Sequence, residues 1–544
     1  MPKVFMACGV SFLAITSLPM SALAQSTGGD DTETLADAST SGQADGLGEI
    51  IVTAQKRGES VQKIPAAITA VSGENLAVVG VTDQASLGKV APGLLIGAQT
   101  GFAISFLRGV GQTQAAPNNP SAVALHLNGV YLPSESGFTP LFDMERVEVL
   151  PGPQGTLYGF SAAGGAINFI TKKPTDRYGV DFNVEAGNYD AVKATGALNV
   201  PLGSGLAMRV AGVKQVHDGY LSNGLNDQDM WAGRATLGYD DGGSFTGTIT
   251  VQRHHEGGTG NSAIAYTGDV PNPAYPDPND LYNSAIPNYG QNYKFDSWLV
   301  TGDFNLDIAD NLQLTYVPGF ARVKDRQDLY FLTLIPGTIF DHHVTQYTQE
   351  LRLTGQQGAD DWLAGLYFLR APNHYLRGAV PFLGTTIIEN DVTSYAAFAE
   401  YRLRPADALT LTVGGRYSHD KFKGRNYNEL PPNSAEDPQD VFPEDSRGRF
   451  DFKVGANYQV TPSSLLYAAV QTGYISAGFD QNGLLLSPSE LTSYTIGSKN
   501  RFFDGMLTAN LELFYYDYKD FQLQFNDGFI FGSESVPARM STAA

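Results

Sequence analysis

Residues 145–174 read ERVEVLPGPQGTLYGFSAAGGAINFITKKP, an alternating apolar run, a glycine cluster and a second alternating run. Glycine-rich turns of this kind cradle phosphates, expose a nucleophile on an elbow, or let two backbones approach closely. The first chemistry calls for a cation. The stretch lacks the Gly-Lys-Ser/Thr ending of a P-loop and has no Lys or Arg between Arg146 and Lys172. The second calls for Gly-x-Ser-x-Gly, which does not surround Ser161. Close packing is what is left: Glu145–Leu150 and Ala166–Thr171 read as two strands, and Gly152–Gly165 as the tight connection between them.

Other residue types that do chemistry are just as thinly placed. His254-His255 and His342-His343 are adjacent pairs in alternating segments, so their rings are expected on opposite faces, which argues against shared metal ligation. Asp277-Pro278-Asn279-Asp280 lacks the spacing of a calcium loop and reads as a turn. Cys8 is the single cysteine and lies in the N-terminal apolar stretch. No catalytic residue, no metal site and no cofactor are expected, and the chain does not read as an enzyme.

The elements that would hold such residues are strands. The chain opens MPKVFMACGVSFLAITSLPMSALA, in which Lys3, the apolar Val4–Leu18 and the small Ala22-Leu23-Ala24 make a secretory signal peptide, residues 1–24. Residues 25–48 are polar and low in complexity, a flexible tether. The net charge of −21 argues against nucleic acid as a partner. Sixty glycines, 27 tyrosines and 30 phenylalanines with only 17% charged residues fit a membrane β-barrel.

Alternation supports that class. In Asp391–Leu403, Val392, Ser394, Ala396, Phe398 and Glu400 fall on one side, and Thr393, Tyr395, Ala397, Ala399 and Tyr401 on the other. A soluble sandwich would alternate too. Long strands in hairpin succession, with no helices between them, favour a lipid face and a polar lumen. About fifteen such segments begin near residues 179, 191, 205, 230, 244, 294, 311, 344, 361, 391, 408, 448, 463, 490 and 505. Tight connections such as 200–205 alternate with long ones, notably 254–293 and 421–447.

Specific motifs then appear in order. Glu49, Ile50, Ile51, Val52, Thr53 and Ala54, followed by Gln55-Lys56-Arg57, resemble the TonB box of TonB-dependent outer-membrane receptors. Ile64-Pro65, Val90-Ala91-Pro92-Gly93-Leu94, Leu107-Arg108-Gly109-Val110, Asn128-Gly129-Val130-Tyr131 and the 145–174 stretch resemble that family's plug. Gln349–Leu353, Trp362–Tyr367 and Tyr494–Lys499 are similar to segments of its barrel.

The resemblance implies an all-β-dominated fold, a transmembrane antiparallel β-barrel around an N-terminal α+β plug. About 15–16 strands are readable, of roughly 22 in the plugged size class. The implied domains are a TonB box at 49–57, a plug at 58–174 and a barrel at 175–544. The implied function is active import of a bulky, scarce ligand, most often a ferric siderophore. An oligosaccharide, cobalamin or an aromatic compound stays open, as do a passive porin-like barrel and a non-functional remnant. Implied partners are TonB, pairing by β-augmentation with Glu49–Ala54, outer-membrane lipid and the extracellular ligand, with the receptor as a monomer in the outer membrane. The ligand-binding residues are not readable.

Two departures stand out. The family places two plug arginines against two barrel glutamates. Arg108 matches the first arginine, Pro151 stands where the second is usual, and Thr495 stands where one glutamate is usual. Arg108 is therefore expected to seek another carboxylate, with Glu350 and Glu400 as candidates. The chain also ends Arg539-Met540-Ser541-Thr542-Ala543-Ala544 without a recognisable closing strand. A C-terminally truncated receptor is the expectation, with a smaller closed barrel of about 16 strands as the alternative.

Overall fold

The computed structural model describes residues 50–99, 102–111, 120–134, 136, 139–259, 290, 292–329, 338–379, 385–429, 442, 444–479, 485–520, 522–527, 530–535 and 540–543. The signal peptide, the tether, Glu49, Cys8 and Asp277–Asp280 lie outside them.

The N-terminal part is the plug. A two-residue strand β1 (Ile51–Val52) pairs with β2 (Glu59–Ser60). There follow β3 (Thr69–Ser72) and the short helix α1 (Gly73–Val78), whose cap Ser72 accepts from the Asn75 amide at 3.2 Å. A three-stranded sheet joins β4 (Leu94–Gln99), β5 (Phe102–Leu107) and β6 (Val110–Gly111). The main plug sheet adds β7 (Val123–Leu127), β8 (Val130–Tyr131), β9 (Met144–Pro151) and β10 (Gly165–Thr171) in the order β3-β9-β10-β7-β8. β7 and β10 run parallel and are buried along their whole lengths. Both of their faces are covered, which explains why apolar residues stand on both, with His126 and Asn168 buried among them.

Around this core curls one antiparallel sheet. Its strands are β11 (Gly179–Gly187), β12 (Ala191–Gly203), β13 (Leu206–His217), β14 (Gln228–Asp240) and β15 (Phe245–Gly258). It continues with β16 (Tyr293–Ala309), β17 (Leu312–Leu329), β18 (Thr338–Gln357), β19 (Asp360–Ala379) and β20 (Thr385–Ala406). Next come β21 (Leu409–Glu429), β22 (Glu444–Thr461) and β23 (Ser464–Ile475), then a small hairpin of β24 (Gly478–Phe479) and β25 (Leu485–Leu486). β26 (Ser489–Phe502) and β27 (Leu507–Lys519) extend the large sheet. β28 (Gln522–Asp527) and β29 (Ile530–Ser535) pair only with each other, and β30 (Met540–Ala543) adds to β27 as the sixteenth strand of the large sheet. Among the described residues β11 is bonded only to β12.

The fifteen expected segments coincide with β11–β23, β26 and β27. Residues 254–258 and 421–429, read as loop from sequence, are strand instead. β18, β20 and β22 likewise begin four to six residues earlier than the alternation suggests, at Thr338, Thr385 and Glu444. In β18 and β20 these extensions set apolar residues side by side (Ile339-Phe340, Ile387-Ile388) among polar neighbours, so the alternation is lost while the ladder continues.

Tight turns at 204–205, 310–311, 358–359, 407–408 and 462–463 share one rim, and the longer connections share the other. This is the arrangement of periplasmic turns and extracellular loops. Outward residues such as Leu366 (60% exposed) and Val413 (59%) make an apolar belt. The inward row Ser394, Ala396, Phe398 and Glu400 is buried. It mixes apolar and polar groups because the lumen holds the plug rather than water.

Candidate functional site

The Ile50–Ala54 segment is folded back into the plug. Ile51 and Val52 pair with Ser60 and Glu59. The Lys56 amide donates to the Thr53 carbonyl at 2.9 Å, and Lys56 adopts φ +59° to close the turn. The Thr53 amide donates to Glu148 Oε1 at 2.8 Å, and Arg146 Nε donates to the same carboxylate at 2.8 Å. Ile50 and Ile51 are about half exposed, whereas Val52 and Ala54 are fully buried. Only part of the segment is therefore reachable in this conformation.

The next residues fasten it to the wall near the tight-turn rim. Lys56 Nζ donates to Glu350 of β18 at 2.8 Å and lies 5.0 Å from the centre of the Tyr158 ring. Arg57 pairs with Asp361 of β19. Arg402 of β20 reaches Glu59 and Gln55 and bonds Glu400 at 3.2 Å, while Lys453 of β22 takes the other Glu400 oxygen at 3.2 Å. Burial pushes the Lys56 pKa below the ordinary lysine range, partly countered by Glu350. It likewise pulls Arg57 down to about 10. Every charge here is shared with at least one neighbour, as buried ions require.

Arg108 lies elsewhere. It takes φ +53° on a turn and donates to Glu512 of β27 at 2.5 Å, with its guanidinium 4.4 Å from the centre of the Phe514 ring. Glu512 also accepts from Tyr467 Oη at 2.7 Å and from the Ala67 amide at 2.9 Å. Burial works to lower the Arg108 pKa, but Glu512 and Tyr516 outweigh it and the net direction is up. Neither expected partner is used: Glu350 is taken by Lys56 and Arg352, and Glu400 by Arg402 and Lys453. The carboxylate sits one strand away from the motif that contains Thr495, with Glu512 in register opposite Gly497. Alternation held the clue, because Glu512 shares its face of β27 with Phe514 and the buried Tyr516 and Tyr518. What it did not say is which plug residue that face meets.

Pro151 and Thr495 come together all the same. With Arg108, Glu512, Gln471 and Tyr516 they line a cavity of about 20 Å3 between plug and wall. That is room for roughly one water. Neither residue brings a charge into it.

The glycine stretch packs against β21–β23. A Cβ on Gly155 would stand 2.7 Å from the Thr472 carbonyl, and one on Gly159 (φ +72°) would overlap the Arg416 guanidinium. Arg416 is buried and faces the Tyr367 and Phe398 rings at 5.1 and 5.4 Å. Ser161 accepts from the Ser476 amide at 3.1 Å. These glycines serve close approach.

Each histidine pair splits across the wall. His254 and His342 are buried on the lumen side, His342 bonding Asn373 at 2.7 Å. His255 and His343 face outward beside Asp296 and Asp341, each at 3.0 Å. Among the described residues no group of three His, Cys, Asp or Glu side chains is placed to hold a metal.

Comparisons with known proteins agree with this geometry. Residues 60–166 match the family described as TonB-dependent Receptor Plug Domain, and residues 230–542 match TonB dependent receptor-like, beta-barrel. The chain is 27% identical over 542 aligned residues to the pesticin receptor of Yersinia pestis, covering 93% of this chain and 74% of that one. A shorter match, 29% over 231 residues, reaches the catecholate siderophore receptor Fiu of Escherichia coli K12 and covers 39% of this chain and 28% of that one. Among solved structures, the ferric yersiniabactin uptake receptor FyuA from Yersinia pestis superposes with a TM-score of 0.73 at 23% identity, covering 84% of this chain and 73% of that one. The ferric-catecholate import receptor Fiu from Escherichia coli K12 in its open form gives 0.67 at 17% identity, covering 85% and 76%.

Proposed function

The chain belongs to the TonB-dependent receptor family, and we propose that it imports a ferric siderophore across the bacterial outer membrane with energy delivered by TonB. The siderophore part is supported by the relatives, whose names are those of pesticin, ferric yersiniabactin and ferric-catecholate receptors.

The observation that carries the energised part is the strand at Ile51–Val52. It is extended, with Ile51 half exposed and Val52 buried, it sits at the tight-turn rim, and it leads within a few residues to Lys56 and Arg57, which grip the wall. In this reading Glu49–Ala54 pairs edge-on with a strand of TonB. Tension on it is then transmitted first to the Thr53–Glu148 bond and the Lys56–Glu350 pair. Residues 1–24 direct export, 25–48 give reach, 58–174 are the plug and 175–544 the wall, acting as a monomer.

The test is uptake of radioactive iron by iron-starved cells carrying this receptor alone, supplied with catecholate or phenolate ferric siderophores. Deleting Glu49–Ala54 abolishes uptake and leaves surface binding intact. Uptake that survives the deletion identifies a passive pore, and uptake of none of these siderophores moves the ligand to another class.

A further inference from the structure

His342 and His343 are neighbours in sequence, and the wall parts them. Strand register then gives His343 a different partner. On the outer surface, His343 of β18 stands directly opposite His374 of β19, with their ring centres 6.2 Å apart. The two side chains are 45% and 42% exposed, whereas Val344 and Tyr375, the next residues along each strand, are buried. The pair lies close to the long-loop rim, where β18 begins at Thr338 and β19 ends at Ala379. Tyr347, on the same face of β18, is about 13 Å further down the strand. Tyr347 and Tyr395 are outward aromatics of the kind that mark a bilayer interface, so the two imidazoles stand beyond it on the aqueous side.

Each ring has one nitrogen committed and one free. Asp341 lies 3.0 Å from His343 Nε2, and Glu389 of β20 lies 3.3 Å from His374 Nδ1. An ionised carboxylate only accepts, so these two nitrogens carry the ring hydrogens. The lone pairs are then on Nδ1 of His343 and Nε2 of His374, and neither atom has a hydrogen-bond partner among the described residues. A carboxylate that fixes the tautomer of an imidazole from behind is the usual outer partner of a metal-bound histidine.

The spacing also suits a shared ion. With metal–nitrogen bonds of about 2.1 Å, two imidazoles on one ion have ring centres about 4.5–6.5 Å apart. The 6.2 Å found here lies at the wide end of that range, so closure takes only side-chain rotation. No group of three His, Cys, Asp or Glu side chains is placed to hold a metal among the described residues, which leaves the remaining positions to water. Imidazole suits Cu2+, Ni2+ and Zn2+, with affinity greatest for Cu2+, whereas Ca2+ and Mg2+ take oxygen ligands. Lys324 of β17, opposite His343, and Arg425 of β21, opposite Glu389, work against a cation here, and Asp341 and Glu389 offset them.

We propose that His343 and His374 form a two-histidine site for one divalent late transition-metal ion, Cu2+ most tightly, on the outer surface of the wall. The sheet separates this site from the lumen, and the proposal does not depend on which ligand the lumen carries.

The test uses the full chain without a histidine tag, in phosphatidylcholine nanodiscs, titrated with Cu2+, Ni2+ or Zn2+ alone. One equivalent is expected to bind, Cu2+ more tightly than the other two, and electron paramagnetic resonance of the Cu2+ form shows two equatorial nitrogens. His343→Ala or His374→Ala lowers affinity about a hundredfold, the gain that a second linked donor supplies. Asp341→Asn with Glu389→Gln lowers it about tenfold through the outer partners. Lys324→Gln raises it about threefold by removing a nearby like charge. His255→Ala on β15, whose ring is beside Asp296, leaves it unchanged. A loss in His255→Ala equal to that in His343→Ala overturns the proposal, assigning the metal to scattered surface histidines. A single-nitrogen spectrum or unchanged affinity in either alanine variant at the pair overturns it as well. Displacement by excess Ca2+ also does so, assigning the ion to the carboxylates. Circular dichroism reads the sheet content of each variant, and where a variant loses it the nitrogen count of the parent decides alone. Metal binding without iron uptake refutes the proposed function alone, and uptake without metal binding refutes this proposal alone.

Discussion

At the β18–β20 wall the plug is held by a web of charges, whereas at β27 it is held by a single arginine and a single carboxylate. In the web, Glu350, Asp361 and Glu400 are each shared between two or more cations. At β27, Arg108 has Glu512, and the neighbouring positions Pro151 and Thr495 are neutral. The difference is one of redundancy. A shared carboxylate keeps a cation when one of its cations is lost, but the Arg108–Glu512 pair cannot lose one member without stranding the other. A cation that can shed its proton also has a relief that a guanidinium lacks.

The comparison breaks most visibly at the lone pair. Glu512→Gln leaves Arg108 buried and charged, and is expected to lower the opening free energy of the plug by about 3–5 kcal/mol. Hydrogen exchange of β9 and β10 reads this, and Arg108→Leu combined with Glu512→Leu recovers most of it. Recovery absent in the double variant contradicts the lone-pair account.

Glu350→Gln in the web acts on two cations, since Glu350 is the ion-pair partner of both Lys56 and Arg352, but Lys56 can neutralise. Deprotonating the lysine costs about 3 kcal/mol at pH 8, which bounds the Lys56 share, while Arg352 stays charged at every pH. The sign is set by the depressed pKa of Lys56. A folded state that prefers neutral lysine is penalised below the unfolded pKa and relieved as pH rises toward it. The Glu350→Gln penalty should therefore shrink between pH 7 and pH 9 while that of Glu512→Gln stays flat. Parallel curves count against the distinction.

His126 sharpens the picture on the acid side. It is buried among Tyr131 and Tyr158 near Lys56, and burial, with Lys56 adding, holds its pKa at about 3. Its neutral form is favoured in the fold, so its contribution is fully present above the unfolded value near 6.5 and is lost as pH falls toward 3. The loss is about 1.4 kcal/mol for each pH unit below that value. His126→Gln should flatten this part of the profile in plug exchange measured from pH 7 to pH 5, and an unchanged slope assigns the acid sensitivity to other groups.

Thr495→Val is the smallest change. Thr495 contacts Ser493 Oγ at 3.1 Å and brings no charge to the cavity beside Arg108. Within about 0.5 kcal/mol of the parent is the expected outcome in the same exchange assay. A larger loss gives Thr495 a share in holding Arg108.

Much of the architecture was legible because its signal is local. Period-two alternation located fifteen strands of the wall, and it failed where β18 and β20 open with adjacent apolar residues, Ile339-Phe340 and Ile387-Ile388, on opposite faces. Arg108 and the Lys56-Arg57 pair were legible as residues, but not their partners. Arg108 and Glu512 are 404 positions apart, and Lys56 and Glu350 are 294 apart. No periodicity spans such distances. Glu350 and Glu400 were plausible carboxylates for Arg108, yet the web had already claimed both.

By itself the sequence determined the strand spacing, the inward and outward faces, the glycines that allow close approach and the ordered motifs of a plugged receptor. Each of these follows from backbone geometry or from short runs of neighbouring residues. Only the tertiary structure decided which wall strand faces which plug residue, because that depends on how the sheet curls and how the plug is seated inside it. The same docking decided that half of the Ile50–Ala54 strand is hidden, and strand register decided that His343 meets His374 rather than His342 on the outer face.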